Sequence, residues 1–240
     1  MATPSGAVRE DVDAAKRLLR SLPTRWEGKD CVLKLKKADY NWRQTEWWAF
    51  YFEFLCRESL LKEFQIPGER IGTTTFDARR SVNWDFKGKA IRADDHHAIL
   101  NDTSAMQTSI AKHGAHGMIL ALCDVEYNDV SRSFQRWHTR LKGGLSGYER
   151  DRIARTSISR YRKTRAVLAE ILFLQITHRD LALLGTMRQG RNSNGRPRPE
   201  KYMLDLERVG PLLVDRLTPP GGWRVRQDVE SGGGADDRAV

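Results

Sequence analysis

The sequence is short of several things, and each shortage excludes a class of protein. No run of about 18 apolar residues occurs in its 240 positions, so no bilayer-spanning helix is expected. The opening stretch MATPSGAVREDVDAAKRLLR has no apolar centre of the kind a secretory leader needs, and a cytoplasmic protein is expected. Cysteine is scarce. Cys31, Cys56 and Cys123 stand far apart, with no CxxC pair and no Cys/His cluster for structural zinc, which fits free or buried thiols in a reducing compartment. The phosphate-cradling pattern GxxxxGK[ST] is absent, so any enzyme here works without a P-loop ATPase. No internal repeat is visible.

Acidic residues are also outnumbered, 31 against 41 lysines and arginines, which leaves a formal charge of +10. Such an excess favours a polyanionic partner, nucleic acid or an acidic membrane surface, over a neutral one. With 40% hydrophobic residues the chain can still bury a sizeable core. The excess is concentrated. Between Arg132 and Arg165 stand eleven basic residues and only two acidic ones, Glu149 and Asp151. A solvated helix normally interleaves both signs. Here Trp137, His138, Tyr148 and Tyr161 sit among Arg136, Arg140, Arg155, Arg160 and Arg162, a mixture typical of phosphate-contacting surfaces. A second basic cluster, Arg188, Arg191, Arg196, Arg198 and Lys201, falls on a loop rich in glycine, proline and asparagine. Such a loop can order in a DNA groove or remain a plain flexible connection.

Along the chain, residues 1 to 7 read as disordered and 8 to 21 as a helix with Val12, Leu18 and Leu19 inward. TEWWAFYFEFLCRESLLKEF is a long, aromatic-rich helix. RIGTTTFDARRSVNWDFKGKAI, with its Thr, Val, Ile and aromatic content, predicts two strands. ADDHHAILNDTSAMQTSIAKHG has polar, turn-like ends and a helical middle, and GMILALCDVEY is a short apolar run that predicts a central strand. Helix is expected to dominate from 131 to about 185, and the tail from 219 to 240 to be disordered. The expected architecture is a mixed α/β domain over residues 1 to 218, with a core at about 40 to 130 and a helical, basic part at about 131 to 218.

The chemistry is concentrated in FDARRSVNWDFKGKAIR. Residues two apart on a strand share a face, so Asp85 and Lys87 project together. If Arg80, Ser81 and Val82 form the turn, Asp77 falls opposite Asp85, where Cβ atoms lie about 4.5–5.5 Å apart. A two-residue turn would send the two carboxylates to opposite faces, and nothing in RSV fixes the length. Opposed carboxylates repel unless a proton or cation sits between them. The cluster is therefore either an ion-pair network or a seat for a hard divalent ion against a phosphate. Upstream, Glu46 and Glu53 lie seven apart on one stripe of a helix whose other faces carry Trp47, Trp48, Tyr51, Phe52 and Phe54. A carboxylate on so apolar a helix needs a partner, either a metal or an arginine such as Arg43 or Arg57.

The ordered set of a helical glutamate, an aspartate, then Asp-x-Lys on a hairpin resembles the PD-(D/E)xK nuclease superfamily, which includes type II restriction endonucleases. The resemblance covers roughly residues 40 to 127. It implies a restriction-endonuclease-like core, a central mixed sheet flanked by helices, with GMILALCDVEY as the next core strand. By resemblance, Asp77 is the first metal-binding aspartate, Asp85 fills the (D/E) place, Lys87 the lysine place, and Glu46 is the helical glutamate that some families add as a ligand. Phe76 stands where the motif has proline, and the spacing of eight between the acids is short. A rival placement takes Asp85 as the first aspartate and Asp124 with Glu126 as the second element, glutamate replacing lysine. The adjacent His96 and His97 point in different directions and read as a polar loop rather than a metal pair or an HNH-type base. The resemblance implies Mg²⁺, with Mn²⁺ as substitute, double-stranded DNA as substrate, 5′-phosphate and 3′-hydroxyl products, and a homodimer if the target is palindromic. The alternatives are a non-catalytic nucleic-acid-binding protein and a repair or junction nuclease of the same fold.

Overall fold

The fold, obtained as a computed structural model, describes residues 6–67, 76–91, 96–145, 147, 149–150, 154, 162–188, 190 and 195–220. It is mixed α/β. Helix α1 (Gly6–Leu19) is followed by β1 (Arg25–Glu27), α2 (Gly28–Lys37) and the aromatic helix α3 (Trp47–Leu60). Then come β2 (Ala78–Arg79), β3 (Asn83–Ala90), β4 (His97–Asp102), α4 (Thr103–His113), β5 (His116–Glu126) and α5 (Ser133–Leu141). The C-terminal part holds β6 (Arg165–Ile176), β7 (Gly185–Met187), β8 (Lys201–Asp205) and β9 (Leu213–Leu217), with short 3-10 turns between them.

The main sheet runs β1-β6-β5-β3-β2, with β9 also pairing β6. Strand β3 pairs β5 in parallel, as a chain returning through a helical crossover must, and β5 pairs β6 antiparallel. Both faces of β5 are covered. Ile119, Ala121, Cys123 and Val125 pack into the core shared with α1, α2 and α3, while Met118, Leu120 and Leu122 pack into a second core with α4 and β4. Val8, Val12, Ala15 and Leu19 give α1 its buried stripe at helical spacing. Helix α4 stops at Gly114, whose φ of 78° and N–H bond to the Ile110 carbonyl form a left-handed cap. A second, three-stranded sheet, β4-β8-β7, lies beyond the main one.

Several expectations are corrected. The helix expected to dominate to about residue 185 is interrupted by β6, a 12-residue strand at the centre of the sheet. Leu168, Ile171 and Phe173 fill one core, and Leu172, Leu174 and Ile176 the other. Burial on both faces erases the period-two alternation, so RAVLAEILFLQI, rich in Ala, Leu and Glu, reads as helix from sequence. Among its described residues the C-terminal half holds four strands, β6 to β9, beside the α-helix α5, so it is not the helical part expected. HAILND is strand β4, not a polar loop, and α1 begins at Gly6, inside the stretch expected to be disordered. The three cysteines are free and buried, as expected. Residues 1–5 and most of the tail (221–240) lie outside the described residues, and so do Tyr148, Arg155, Arg160, Tyr161 and Arg191.

Candidate active site

The β2–β3 hairpin turns through Arg80, Ser81 and Val82, so Ala78 stands opposite Trp84 and Arg79 opposite Asn83. The odd-numbered turn is the one the chain adopts, and the register carries Asp77 to Asp85. Asp77 closes onto β3 twice. Its N–H donates to the Trp84 carbonyl at 2.9 Å, and its Oδ2 accepts the Phe86 N–H at 2.8 Å. The turn length is set from outside the hairpin. Buried Asp11 of α1 accepts from the Ser81 N–H (2.9 Å), the Ser81 hydroxyl (2.8 Å), the Trp84 indole (2.9 Å) and Arg80 (3.1 Å). Trp84 is itself fully buried, its ring lying across Gly117 of the neighbouring strand, where a Cβ would collide with it.

Lys87, two residues beyond Asp85, is half-buried. Burial opposes its charge, yet Asp77, Glu53, Asp85 and Asp102 together outweigh burial and hold the ammonium above the ordinary lysine range. The acids around it are pushed apart. Asp77 is raised, mainly by burial and further by Asp85, against the pull of Lys87. For Asp85 burial also works upward, but His116 above all, then Lys87 and Asn101, holds the carboxyl below its ordinary range. Glu53 is pushed up to about 7 by burial, with Lys87 opposing and Asp77 adding. Tyr40 donates to Glu53 Oε2 at 3.4 Å.

Asp85 is gripped from the second sheet and from β5. Asn101 of β4 donates to its Oδ2 at 2.7 Å, and His116 Nε2 lies 3.0 Å from the same oxygen. The other ring nitrogen of His116 meets the Ser109 hydroxyl at 3.0 Å. Next along β4, Asp102 pairs with Lys201 of β8 at 2.6 Å. Lys201 opens β8, directly after the basic segment that carries Arg196 and Arg198.

Of the expected residues, Asp77, Asp85 and Lys87 come together, and Glu46 does not join them. It is exposed and pairs with Lys163, whose ammonium also lies over the Trp48 and Tyr127 rings. Glu53, seven residues on and inside α3, takes the place by Lys87, whereas Glu46 is the N-cap of that helix. The rival residues are remote. Asp124 is six positions past Met118, the β5 neighbour of Asp85, which is about 20 Å along the strand. Glu126 faces Arg165. His96 and His97 are exposed. His116, Tyr40 and Asp102 are given no role by the sequence, and Asn101 enters there only as the asparagine that an HNH-type site would need beside His97. Asn101 was hidden because its segment reads as loop, and His116 because one histidine before an apolar run looks like ordinary core.

The basic residues divide into two places. Arg136 and Arg140 are exposed, four apart on α5, whose other face buries Phe134 and His138. That helix follows the far end of β5, roughly 26 Å along the strand from the level of Asp85. Arg196 and Arg198 are exposed shortly before β8, and Arg188 reaches Glu200 at 3.5 Å. Arg162 reaches Glu149 at 3.4 Å.

Among the described residues no three His, Cys, Asp or Glu side chains gather into a group that would hold a metal by themselves. The donor set is the sparser one of two carboxylates beside a lysine, which suits a hard divalent ion that keeps water and phosphate oxygens as its remaining ligands. No helix among the described residues is long and apolar enough to cross a membrane. No protein-family model, curated protein or solved structure matches the chain.

Proposed function

We propose that the chain is a Mg²⁺-dependent endonuclease of double-stranded DNA with a PD-(D/E)xK-type core, and within that class a sequence-specific restriction enzyme. One observation carries the reading. The three-residue turn brings Asp77 to Asp85, and both act with Glu53 on Lys87 in one half-buried pocket. Asp77 and Asp85 bear on Lys87 together with Glu53, and a divalent ion held by the two aspartates would offset their mutual repulsion.

In this proposal Asp77 and Asp85 hold the ion. When bound, the ion polarises the scissile phosphate and lowers the pKa of a coordinated water. Lys87 orients the attacking oxygen in line with the leaving 3′ oxygen and offsets charge on the phosphorus. Glu53, pushed up to about 7 and steadied by Tyr40, is the group able to accept a proton near neutral pH. Arg196 and Arg198 enter a DNA groove, and Arg136 and Arg140 of α5 contact phosphates further along the duplex. A two-fold target would be read by a homodimer.

The second reading, a non-catalytic DNA- or RNA-binding protein, is favoured by the lack of a three-ligand metal group among the described residues. Incubating purified protein with supercoiled plasmids, with Mg²⁺ and with EDTA, separates the two. Nicking or linearisation only with Mg²⁺ supports the nuclease; DNA that is shifted on a gel but never cut supports the binder. Unique fragments from a defined genome distinguish a restriction enzyme from a repair or junction nuclease.

A further inference from the structure

Ser109, His116 and Asp85 form a hydrogen-bonded row that looks at first like a nucleophile, a base and its orienting acid. The burial runs the wrong way for that chemistry. Ser109 is 3% exposed, His116 is fully buried, and the row leads from Asp85 inward beneath α4. A nucleophile must reach its substrate, and this hydroxyl faces the protein interior. The carboxylate end is buried as well, Asp85 being 2% exposed, and it bears on half-buried Lys87 and Asp77 rather than on open solvent.

We infer that His116, together with Asn101, is a positioning residue that fixes the rotation of the Asp85 carboxylate and so sets how tightly the pocket takes a divalent cation. Both bonds fall on the same oxygen: Asn101 Nδ2 at 2.7 Å and His116 Nε2 at 3.0 Å from Oδ2. Neither uses Oδ1. Two donors on one oxygen remove the freedom of the carboxylate to swing, and Oδ1 is the oxygen left to meet a cation. The histidine is held in turn. Ser109 fixes its Nδ1 side, and its backbone begins β5 opposite Asn83 of β3. The three supports come from β4, α4 and β5, elements that sequence places 16 to 31 residues after Asp85. Groups that orient a ligating carboxylate this way commonly change metal affinity or activity by about 10- to 100-fold.

The inference rests on the nuclease reading, and the test keeps the two apart. Mn²⁺ binding to the full chain is followed by the loss of the free-ion electron paramagnetic resonance signal, with no DNA present. His116→Leu removes the donor, and His116→Gln keeps an amide N–H near the position of Nε2. The expected result is a drop in Mn²⁺ affinity of about 10- to 100-fold for His116→Leu, with much of it restored in His116→Gln. Cleavage should show the same order in kcat, with KM for DNA held. Asn101→Ala, at a half-buried position, gives a second variant should His116→Leu not fold, and is expected to weaken Mn²⁺ about 10-fold. Wild-type affinity in folded His116→Leu, or in Asn101→Ala, overturns the inference while leaving the nuclease reading in place. A wild-type protein that binds no Mn²⁺ at all overturns both.

Discussion

The carboxylate of Asp11 accepts the indole N–H of Trp84 at 2.9 Å, across 73 positions of sequence. The same carboxylate holds the Ser81 N–H and hydroxyl and meets Arg80. A helix at one end of the chain therefore sets the length of a turn that has no glycine or asparagine of its own to set it. The parity of that turn decides whether Asp77 and Asp85 meet. Asp11→Ala leaves the buried Trp84 indole and the Ser81 N–H without their acceptor. The expected loss is about 3–5 kcal/mol of stability in urea unfolding, with cleavage falling further than the folded fraction does. A loss below about 1 kcal/mol would mean the turn holds itself.

Glu53 and Glu46 separate by role. In folded protein, Glu53→Gln should lower cleavage by at least about 100-fold, as removal of a general acid–base group does. Glu46→Gln should stay within a few-fold of wild type, because its partner is Lys163, which precedes Thr164 beside Glu126 at the far end of β5. The reverse order would return the helical glutamate to position 46.

The pH dependence of stability has a definite sign. Glu53 is ordinarily ionised above about 4.5 and in the fold is pushed up to about 7. Between those values the folded chain holds a proton that the unfolded chain has lost, so stability falls as pH rises from 4.5 towards 7. Asp77, also raised, acts in the same direction. Compared with wild type, Glu53→Gln should flatten this fall by on the order of 2 kcal/mol in metal-free buffer. Parallel curves for the two proteins would show that Glu53 carries no such proton.

The two basic surfaces should behave differently. Replacing both Arg136 and Arg140 by Ala should weaken binding to all duplexes alike and reduce the slope of log K against log salt by about 2. Replacing Arg196 and Arg198 should reduce the preference for the target sequence, each lost base contact being worth about 1–3 kcal/mol of discrimination. Filter binding over a salt series, with target and random DNA, reads both. An unchanged slope in the first variant means α5 faces away from the duplex.

Much of the pocket was legible because β3 writes its faces in alternate residues: Asp85 and Lys87 on one side, Trp84 and Phe86 in the core. The helix α3 was legible from its aromatic run, and β5 from its bounded apolar run. What could not be read depends on contacts across long stretches of chain. The choice between Glu46 and Glu53 rests on where α3 begins: the expected shared stripe fails because Glu46 is the N-cap, with φ −89° and ψ 42°, while Glu53 lies inside the helix. The turn parity rests on Asp11, 69 residues before Arg80. Strand β6 was lost to helix because a strand buried on both faces has no alternation to show. His116 and Asn101 gain meaning only once β4 and β5 lie on either side of Asp85.

The central claim is that Asp77, Asp85 and Lys87 form one metal-dependent cleaving unit. Its most direct test is single-turnover cleavage of genomic DNA fragments by wild type, Asp85→Ala and Lys87→Ala at saturating Mg²⁺, with binding of the same DNA measured in parallel. The account predicts Mg²⁺-dependent cleavage by wild type and none detectable in either variant, while both variants still bind DNA. Cleavage retained in Lys87→Ala or Asp85→Ala, or a wild type that binds DNA and never cuts it, would contradict it.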